Sequence, residues 1–529
     1  MNTNKQKKIP LIVSIFKSFK MKNNSYIISS FCLTKGIRIK NFDLSKIKAM
    51  INGIEYPIKF KLKKGIKFIM GLRFNFFKII IPSSDIENFD IQNKIELIYE
   101  NNEKGRILYN LIDYKKGKYK SSRAFFQNNK SIFLRQTDHN TLVITVRDFN
   151  IYDTTKGKLK LLLGKILSFF LFKKDILYLY EKECSRYEES ASILYEKLID
   201  MGYKNVYYVI NKDNVTIDNL DFKYKKNFIY KDSLKNIIYF FKAKTFISSE
   251  SIDHAFQLRA KNKSILKKKH SSKLKYIFLQ HGVTYMVSLD SDMRSAFRKK
   301  KMKMFKIVVS SELEKKHFTS VGGFDENDLY KCGMLKFDRA IRYDNADKII
   351  VMPTWRRWEY NEASRDFENT KYFKMIKRIV ESIPKKYSDK IIILPHPLMV
   401  AAIRNNDKFK KYLLKDGKKY DDVLKECSLL ITDYSSISYD AFYRGCNVIF
   451  YWEEKDECMK KYGTNLLLEE NTAFGDVVYN AEELKKVFDN NYNKPQSKEH
   501  INKYRKIVEF HDNRNTERLI EMLKEDKVI

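Results

Sequence analysis

Four polar segments of this chain directly follow predicted β-strands and carry side chains suited to acid–base or anion-binding chemistry. They are His281-Gly282, Pro353-Thr354-Trp355-Arg356-Arg357, Pro395-His396-Pro397 and Asp433-Tyr434-Ser435-Ser436. In doubly wound α/β domains, ligands bind beyond the carboxyl ends of the strands. Because four such segments occur in one chain, we expect them to line a common cleft.

The serine pair lies where a strand gives way to a helix. Asp433 ends the apolar run, and the helix predicted after Ser435 and Ser436 ends near Arg444, with Gly445 as its stop. A helix N-terminus offers unpaired N–H groups and a partial positive charge, so phosphate binds there readily. The alternative is plain capping, in which one serine satisfies the helix and the other is incidental.

The two histidines suit proton transfer or charge stabilisation. His281 precedes Gly282, which allows a close backbone approach, and His396 is held between two prolines that stiffen its backbone. Each is otherwise a structural histidine at a strand end. Arg356 and Arg357 suit a clamp on phosphate oxygens, or else they form a solvated basic loop.

Several other chemistries lack their signatures. The chain has no GxGxxG fingerprint, no GxxxxGK[ST] loop and no CxxC pair. Asp290-Ser291-Asp292 has the DxD form that binds metal in some sugar transferases, but it stands alone. We therefore expect no metal and no cofactor.

The elements that must position these residues are those of an α/β protein. Short apolar strands, of the kind buried in parallel sheets, alternate with helical stretches from about residue 175 onwards. The strands are predicted at 206–210, 245–249, 276–280, 306–310, 348–355, 390–396, 429–433 and 447–452. A break near 340–347 divides them into two Rossmann-like domains of similar size, at 179–342 and 343–529.

The first 150 residues have a different pattern, with period-two alternation and turn signals. Asn52-Gly53 is a hairpin signal, and Ile58 alternates with lysines, as in a strand with one buried face. Phe76 is predicted on the buried face of a further strand. The pattern predicts a small antiparallel β domain at 1–150, of the sandwich type.

The stretch 151–178 joins this β domain to the α/β region and is both basic and apolar. Leucines, isoleucine and phenylalanines at helical spacing alternate with lysines between 156 and 174. Such a helix can lie in a membrane interface, or it can be an amphipathic linker packed on the next domain.

Charge and length limit the possible partners. The 529 residues carry a formal net charge of +37, which attracts nucleic acid, an anionic membrane or an acidic substrate, unless it is only a solvated lysine-rich surface. The six cysteines are scattered, as free thiols are in a reducing compartment. No apolar run reaches the ~18 residues that span a bilayer, and no signal peptide is evident, so we expect a cytoplasmic protein.

Six segments together resemble the CDP-glycerol glycerophosphotransferase family of teichoic acid primases and polymerases. They are "FLQHGVT" (278–284), "CGMLKFD" (332–338), "VMPTWRRW" (351–358), "ILPHPLM" (393–399), "ITDYSSISYDAFYRGCNVIFY" (431–451) and "FGDVVYNAEEL" (474–484). The resemblance covers roughly 180–520 and implies a GT-B fold, with an acceptor-side domain followed by a CDP-donor-side domain. One departure is His281-Gly282-Val283-Thr284, where the hydroxyl lies one position later than in many members.

The resemblance also implies residue roles. His281 and His396 match the two histidines required for activity, and Ser435 and Ser436 match the serines that bind donor phosphate. Asp433 and Asp440 match acidic positions of the same motif, and Thr354, Trp355 and Arg356 match a segment that lines the cleft. We also expect Gly282 and Pro397 on the donor side and Arg357 at the substrate.

The implied reaction transfers glycerol phosphate or ribitol phosphate from a CDP-activated donor to a hydroxyl of a lipid-linked cell-wall or capsule polymer, releasing CMP. The implied location is the inner face of the membrane, on anionic lipid and without an integral anchor. The alternative is a GT-B capsule glycosyltransferase that uses CMP-sialic acid or a UDP-sugar. A nucleic-acid-binding protein is disfavoured, because the basic residues are diffuse and no binding module is evident.

Overall fold

The computed structural model describes most of the chain and divides it into two compact units. The described residues are 11–35, 47–62, 72–101, 105–113, 122–136, 142–214, 217–256, 274–291, 297–299, 304–359, 367–395, 403, 406, 408–414 and 420–529. Unit 1 comprises Met1–Leu167 with Gln257–Lys269, and unit 2 comprises Ser168–Phe256 with His270–Ile529.

Unit 1 contains a closed β-barrel and a second, four-stranded sheet. The barrel strands are β1 (Leu11–Lys22), β2 (Ser25–Lys35), β3 (Ile47–Ile51), β4 (Ile54–Leu62), β5 (Leu72–Pro82), β7 (Glu96–Asn101) and β8 (Gly105–Asp113). The sheet, in the order β6-β11-β10-β9, consists of β6 (Gln92–Lys94), β9 (Phe125–Gln127), β10 (Lys130–Gln136) and β11 (Leu142–Asp148).

The predicted antiparallel β domain is present, but it is not a simple sandwich. Strands β1 and β8 pair in parallel, and this pairing closes the seven strands into a barrel. Closure removes the unpaired edges that a sandwich would leave. Asn52 and Gly53 form the predicted hairpin turn, both with positive φ. The prediction for Phe76 was wrong by one position, because Phe77 faces the core and Phe76 is 40% exposed.

The basic stretch 151–178 does not form a separate linker. Its helix α1 (Thr155–Leu167) belongs to unit 1 and packs on the preceding turn Ile151–Asp153. A Cβ on Gly157 would lie only 2.0 Å from the carbonyl oxygen of Ile151, so glycine is required at this contact. The remainder of the stretch begins unit 2.

Unit 2 contains two parallel sheets, and each is the centre of one half. The first half has the order β14-β13-β12-β15-β16-β17-β18 and the second the order β20-β19-β21-β22-β23. The strands are β12 (Leu177–Tyr180), β13 (Val206–Ile210), β14 (Phe228–Tyr230), β15 (Thr245–Ser248), β16 (Lys275–Phe278), β17 (Lys306–Val309), β18 (Leu329–Lys331), β19 (Lys348–Val351), β20 (Ile391–Ile393), β21 (Cys427–Thr432), β22 (Asn447–Tyr451) and β23 (Asp476–Val478).

Helices connect these strands and cover the sheets. They are α2 (Ser190–Asp200), α3 (Phe222–Lys225), α4 (Leu234–Lys242), α5 (Glu312–Ser320), α6 (Lys371–Ser382), α7 (Tyr420–Lys425), α8 (Ile437–Tyr443), α9 (Lys455–Tyr462), α10 (Ala481–Asn491), α11 (Lys498–Arg505) and α12 (Asn515–Glu525). The predicted α/β fold class with parallel sheets is confirmed. Among the described residues, no helix is long and apolar enough to cross a bilayer.

The last helix does not stay with the second half, to which we assigned all of 343–529. Leu519, Ile520 and Leu523 of α12 are buried in the core of the first half with strand residues such as Leu179. Asp526 accepts a hydrogen bond from the Tyr330 hydroxyl at 2.5 Å. The chain therefore crosses back to the first sheet after completing the second.

This return of the chain makes a stability prediction. Leu519→Ala removes a fully buried side chain of α12, and we expect it to lower the free energy of unfolding of the first half by about 2–5 kcal/mol. Urea denaturation followed by fluorescence measures the loss. Glu521→Ala, on the exposed face of the same helix, is the control. Equal effects of the two substitutions would contradict this packing.

Candidate active site

A cavity of about 660 Å³ lies in unit 2 and is lined by residues from both halves. Its lining residues follow the carboxyl ends of parallel strands, as predicted for the cleft. Lys182 follows β12, His281 follows β16, Met352 follows β19, and Ser435 and Ser436 follow β21. The structure therefore brings His281, Ser435, Ser436 and Asp440 together at one cavity.

Gly282 lies directly against Ser436, and the neighbouring His281 lines the same cavity as both serines. His281 is exposed to the cavity, whereas Gly282 is buried. A Cβ built on Gly282 would lie 2.8 Å from Ser436 Oγ, closer than real Cβ contacts. The expected close approach at this glycine thus occurs, and the chain segment that it meets is the serine motif of the other half.

The loop that carries His281 leaves the first sheet and packs on the second half. Val283, Met286 and Val287 are buried in a core that contains Leu430 and Phe450 of the second sheet. The loop is also hydrogen-bonded there, because the Tyr285 carbonyl accepts from the Tyr439 hydroxyl at 2.5 Å and the Met286 carbonyl accepts from the Leu467 amide at 2.8 Å. The second half therefore fixes the position of a histidine that the first sheet supplies.

The displaced hydroxyl of this motif does not face the serines. Thr284 is buried, and its hydroxyl donates to Oε1 of Gln280 while its amide donates to Glu314 at 2.7 Å. Its hydrogen bonds hold the start of the loop to the first half. Thr284 therefore acts as a structural residue at this position.

The hydroxyl groups of Ser435 and Ser436 make no short capping hydrogen bonds to the helix. Ser436 occupies the N-cap position of α8, but its side chain makes no capping hydrogen bond in the described structure. The Ser435 hydroxyl lies 3.5 Å from the Ile437 amide, a long contact. Gly445 ends the helix with a φ of 91°, as predicted. Both serines are half-buried at the cavity, which favours a ligand-binding role over plain capping.

Arg356 does not lie where we expected a phosphate clamp. It is fully buried, with Nη1 2.7 Å from Asp433 Oδ2 and Nε 2.9 Å from Glu454 Oε2. Burial alone would lower the pKa of this guanidinium, but the charges of Asp433 and Glu454 raise it well above its ordinary value. The guanidinium is thus committed to a buried ion-pair network.

Asp433 uses its other oxygen to join two strand ends. Its Oδ1 accepts from the Thr354 amide at 2.7 Å and from the Tyr434 amide at 2.5 Å. Trp355 is buried against Tyr372, with ring centroids 5.3 Å apart, so it belongs to the core and not to the cavity wall. Thr354 is half-buried, and its hydroxyl has no hydrogen-bond partner among the described groups.

Three of the predicted site residues cannot be placed in the site. His396 and Pro397 lie outside the described residues, as does the side chain of Arg357. Of the DxD pair, Asp290 bonds the Thr464 hydroxyl and Asp292 lies outside the described part. Within the described residues, no group of three or more His, Cys, Asp or Glu side chains is arranged to hold a metal ion.

Asp440 is held by a lysine that sequence reasoning did not single out. Lys336 Nζ lies 2.5 Å from Asp440 Oδ1 and donates to the His281 carbonyl at 2.8 Å. Lys336 follows no apolar strand directly, and it is one of 102 basic residues. Its position within the segment "CGMLKFD" was the one signal that the sequence offered.

Glu181 was also missed, although the strand-end rule would have found it. It directly follows β12, is fully buried, and accepts the amides of Glu188, Glu189 and Ser192 at 2.9–3.1 Å. Burial, with repulsion from Glu189, raises the pKa of Glu181 to about 8. Its carboxyl group shapes the segment 182–192, which forms one wall of the cavity.

The buried network makes a prediction about Arg356. Arg356→Gln leaves Asp433 without its charged partner, so we expect the free energy of unfolding to fall by about 3–5 kcal/mol. Chemical denaturation measures the loss. Arg378→Gln is the matched control, because Arg378 forms a partly exposed pair with Glu453 worth about 0–1 kcal/mol. An Arg356→Gln variant that is as stable as wild type but binds the donor more weakly would contradict this interpretation and would support the predicted role of Arg356 as a phosphate clamp.

Comparison with known proteins shows the family to which the chain belongs. The family model described as CDP-Glycerol:Poly(glycerophosphate) glycerophosphotransferase matches residues 164–525. The Minor teichoic acid biosynthesis protein GgaB of Bacillus subtilis (strain 168) is 24% identical over an alignment of 491 residues that covers 88% of this chain and 50% of that protein. The chain therefore spans about half the length of this curated relative.

Solved structures of the Wall Teichoic Acid Polymerase TagF have a similar fold. One has 13% identity and a TM-score of 0.51, covering 70% of this chain and 97% of that chain. A TagF variant soaked with CDPG for 15 minutes has 14% identity, a TM-score of 0.51 and the same coverage. At these identities the likeness concerns the fold. The family match, however, covers more than half of the chain, and this protein belongs to the CDP-glycerol:poly(glycerophosphate) glycerophosphotransferase family.

Proposed function

We propose that this protein transfers glycerol phosphate or ribitol phosphate from a CDP-activated donor to a hydroxyl of a polymer acceptor and releases CMP. The observation that carries the proposal is the close approach of Gly282 to Ser436, which places His281, Ser435 and Ser436 at one cavity in a chain that belongs to this family. A candidate base and two candidate phosphate-binding hydroxyls thus meet at the carboxyl ends of two parallel sheets.

In the proposed reaction, an acceptor hydroxyl attacks the phosphorus that bears the polyol. A new P–O bond forms to the acceptor oxygen, and the P–O bond to CMP breaks, so that CMP leaves with the bonding electron pair. His281 takes the proton of the attacking hydroxyl. Ser435 and Ser436 donate hydrogen bonds to phosphate oxygens, where negative charge increases as CMP departs.

The other predicted residues have either a direct or an indirect role in the proposed reaction. His396 and Pro397 belong to the donor side by the resemblance, and His396 would stabilise the departing CMP. Asp433 and Arg356 act indirectly, by holding the Thr354 amide at the end of the neighbouring strand. The Thr354 hydroxyl has no partner among the described groups, but it is buried and Thr354 does not line the cavity, so Thr354 supports the site only through its amide.

The preferred polyol is glycerol, with ribitol as the alternative. The family description names CDP-glycerol, and a TagF variant was soaked with CDPG. The alternative function is that of a capsule glycosyltransferase that uses CMP-sialic acid or a UDP-sugar, and the donor panel described below distinguishes the two functions.

The proposed acceptor is a lipid-linked cell-wall polymer, reached from an anionic membrane surface at the inner face. Support comes from helix α1, whose side chains Leu159, Leu162, Leu163 and Ile166 are 48–62% exposed and share one face. Leu161, Gly157 and Gly164 lie buried on the opposite face. Lysines 156, 158, 160 and 165 flank the apolar face on both sides, and no acidic residue occurs between 154 and 174. Lysines at such an edge reach lipid phosphates while the leucines enter the acyl boundary.

A donor panel tests the transfer reaction. Purified protein with a membrane acceptor fraction is expected to release CMP from CDP-glycerol or CDP-ribitol, and no nucleotide from CMP-sialic acid or UDP-N-acetylglucosamine. His281→Ala is expected to reduce kcat by about 100-fold or more, because the attacking hydroxyl loses its base, while CMP affinity stays near that of wild type.

His500→Ala is the control for the histidine substitution, because His500 lies on α11 outside the cavity lining. Release from a sugar nucleotide alone would replace the proposed activity by glycosyl transfer. Near-normal turnover of His281→Ala would remove His281 as the base.

Vesicle flotation tests the membrane surface. We expect the protein to float with vesicles of phosphatidylglycerol and phosphatidylcholine but not with phosphatidylcholine alone, because each lysine near an anionic surface contributes about 1 kcal/mol. Leu162→Glu combined with Leu163→Glu should abolish flotation. Phe222→Glu changes an apolar side chain of unit 2 that is 76% exposed, and it should float normally. Unchanged flotation of the leucine variant would contradict docking through α1.

A further inference from the structure

Lys336 lies at the junction of the two catalytic segments. It belongs to the turn Leu335–Arg339 of the first half, and its side chain is 16% exposed at the cavity. Its ammonium donates to the His281 carbonyl at 2.8 Å and lies 2.5 Å from the carboxylate of Asp440. One cation thus bonds the backbone of the candidate base and the helix that follows the serine pair.

Together the two bonds link the halves of unit 2, because Lys336 bonds His281 within the first half and Asp440 across to the second. His281 belongs to the loop after β16 of the first half, and Asp440 lies on α8, one turn beyond Ser436. The Asp440 side chain is only 7% exposed, so this ion pair is screened little by water. Other bonds hold the same loop at Tyr285 and Met286, but Lys336 holds it at His281 itself.

We propose that Lys336 is a positioning residue that sets the distance between His281 and the phosphate-binding serines through its paired bonds to the His281 carbonyl and Asp440. This inference rests on the proposed function, in which His281 must face a phosphorus held at Ser435 and Ser436. A displacement of about 1 Å between reacting groups costs roughly 100-fold in rate, so a bond at this place controls turnover.

A direct phosphate contact by Lys336 is the competing role, and the two roles predict different losses. As a ligand, Lys336 would contribute chiefly to donor affinity. As a positioning residue, it contributes chiefly to kcat. Lys336→Met alone does not separate them, because it leaves Asp440 as an unpaired carboxylate that repels the anionic donor.

The discriminating variant is therefore the double substitution Lys336→Met with Asp440→Asn, which removes both charges together. Its CMP affinity, measured by calorimetry, is expected to match that of wild type, while kcat with CDP-glycerol falls by about 100-fold. Asp440→Asn alone keeps an uncharged hydrogen-bond acceptor for Lys336 and is expected to lower kcat less than the double substitution does. Lys336→Arg is expected to recover part of the kcat that Lys336→Met loses.

Lys331→Met is the matched control. Lys331 also pairs with carboxylates, at 3.2 Å from Glu312 and 3.1 Å from Glu509, but it is 35% exposed and does not line the cavity. We expect its substitution to leave kcat and CMP affinity unchanged.

Amide hydrogen exchange of the peptide 279–290 supplies a readout that needs no turnover. Exchange should be faster in the double variant and unchanged in Lys331→Met, because the first variant alone releases the His281 backbone. Wild-type protein that releases no CMP from any CDP-polyol would overturn the proposed function, and the exchange result would still decide whether Lys336 holds the loop. Unchanged exchange, or loss of CMP affinity in the double variant, would overturn the positioning role.

Discussion

The arrangement of the site depends on the burial of one loop of the first half in the core of the second. Val283, Met286 and Val287 come from the strand end that carries His281, yet they pack with the second sheet. Burying apolar side chains of this size contributes about 1.5–3 kcal/mol each, far more than the neighbouring hydrogen bonds add. Two α/β domains joined by a hinge would otherwise move His281 relative to the serines. Gly282 adds to this constraint, because a Cβ at this position would come within 2.8 Å of Ser436 Oγ and would force that hydroxyl to shift.

A second constraint fixes the serine strand itself. Asp433 is fully buried, and Arg356, Thr354 and Tyr434 all donate to its carboxylate. Such a network contributes little net stability relative to an apolar core, but it fixes geometry, since each partner left alone would be costly. It ties the end of β19 to the end of β21. The half-buried hydroxyls of Ser435 and Ser436 therefore follow a rigid strand end, so the buried network supports the site while the two serines line the cavity.

The sequence allowed much of this to be predicted, because strand periodicity and strand ends are local features. The parallel strands, the stop at Gly445 and the position of His281 follow from apolar runs and the residues after them. Arg356 shows where such reasoning fails: a strand-end arginine looks the same whether it faces solvent or a buried carboxylate. Closure of the barrel, the return of α12 to the first sheet and the bonds of Lys336 each depend on residues distant in sequence, which periodicity does not encode. Glu181, by contrast, could have been predicted, because it directly follows the strand β12 and polar residues at strand ends were the candidates for the site.

The positive charge at the cavity differs from the positive charge on the rest of the chain, because the cations of the cavity are paired with carboxylates. Lys336, Arg339 and Arg444 line the cavity, and each lies within 2.7 Å of a carboxylate, from Asp440, Glu196 and Asp421 respectively. These pairs leave the cavity with less positive charge than its cations alone would give. Anion binding in the cavity would therefore depend on the placement of hydroxyl donors such as Ser435 and Ser436 more than on net charge. The excess of +37 for the whole chain must then lie largely outside the cavity. There its field reaches about 8–10 Å into the solvent and would act on extended anions in general, whereas ligand selection at the cavity would depend on the paired lining.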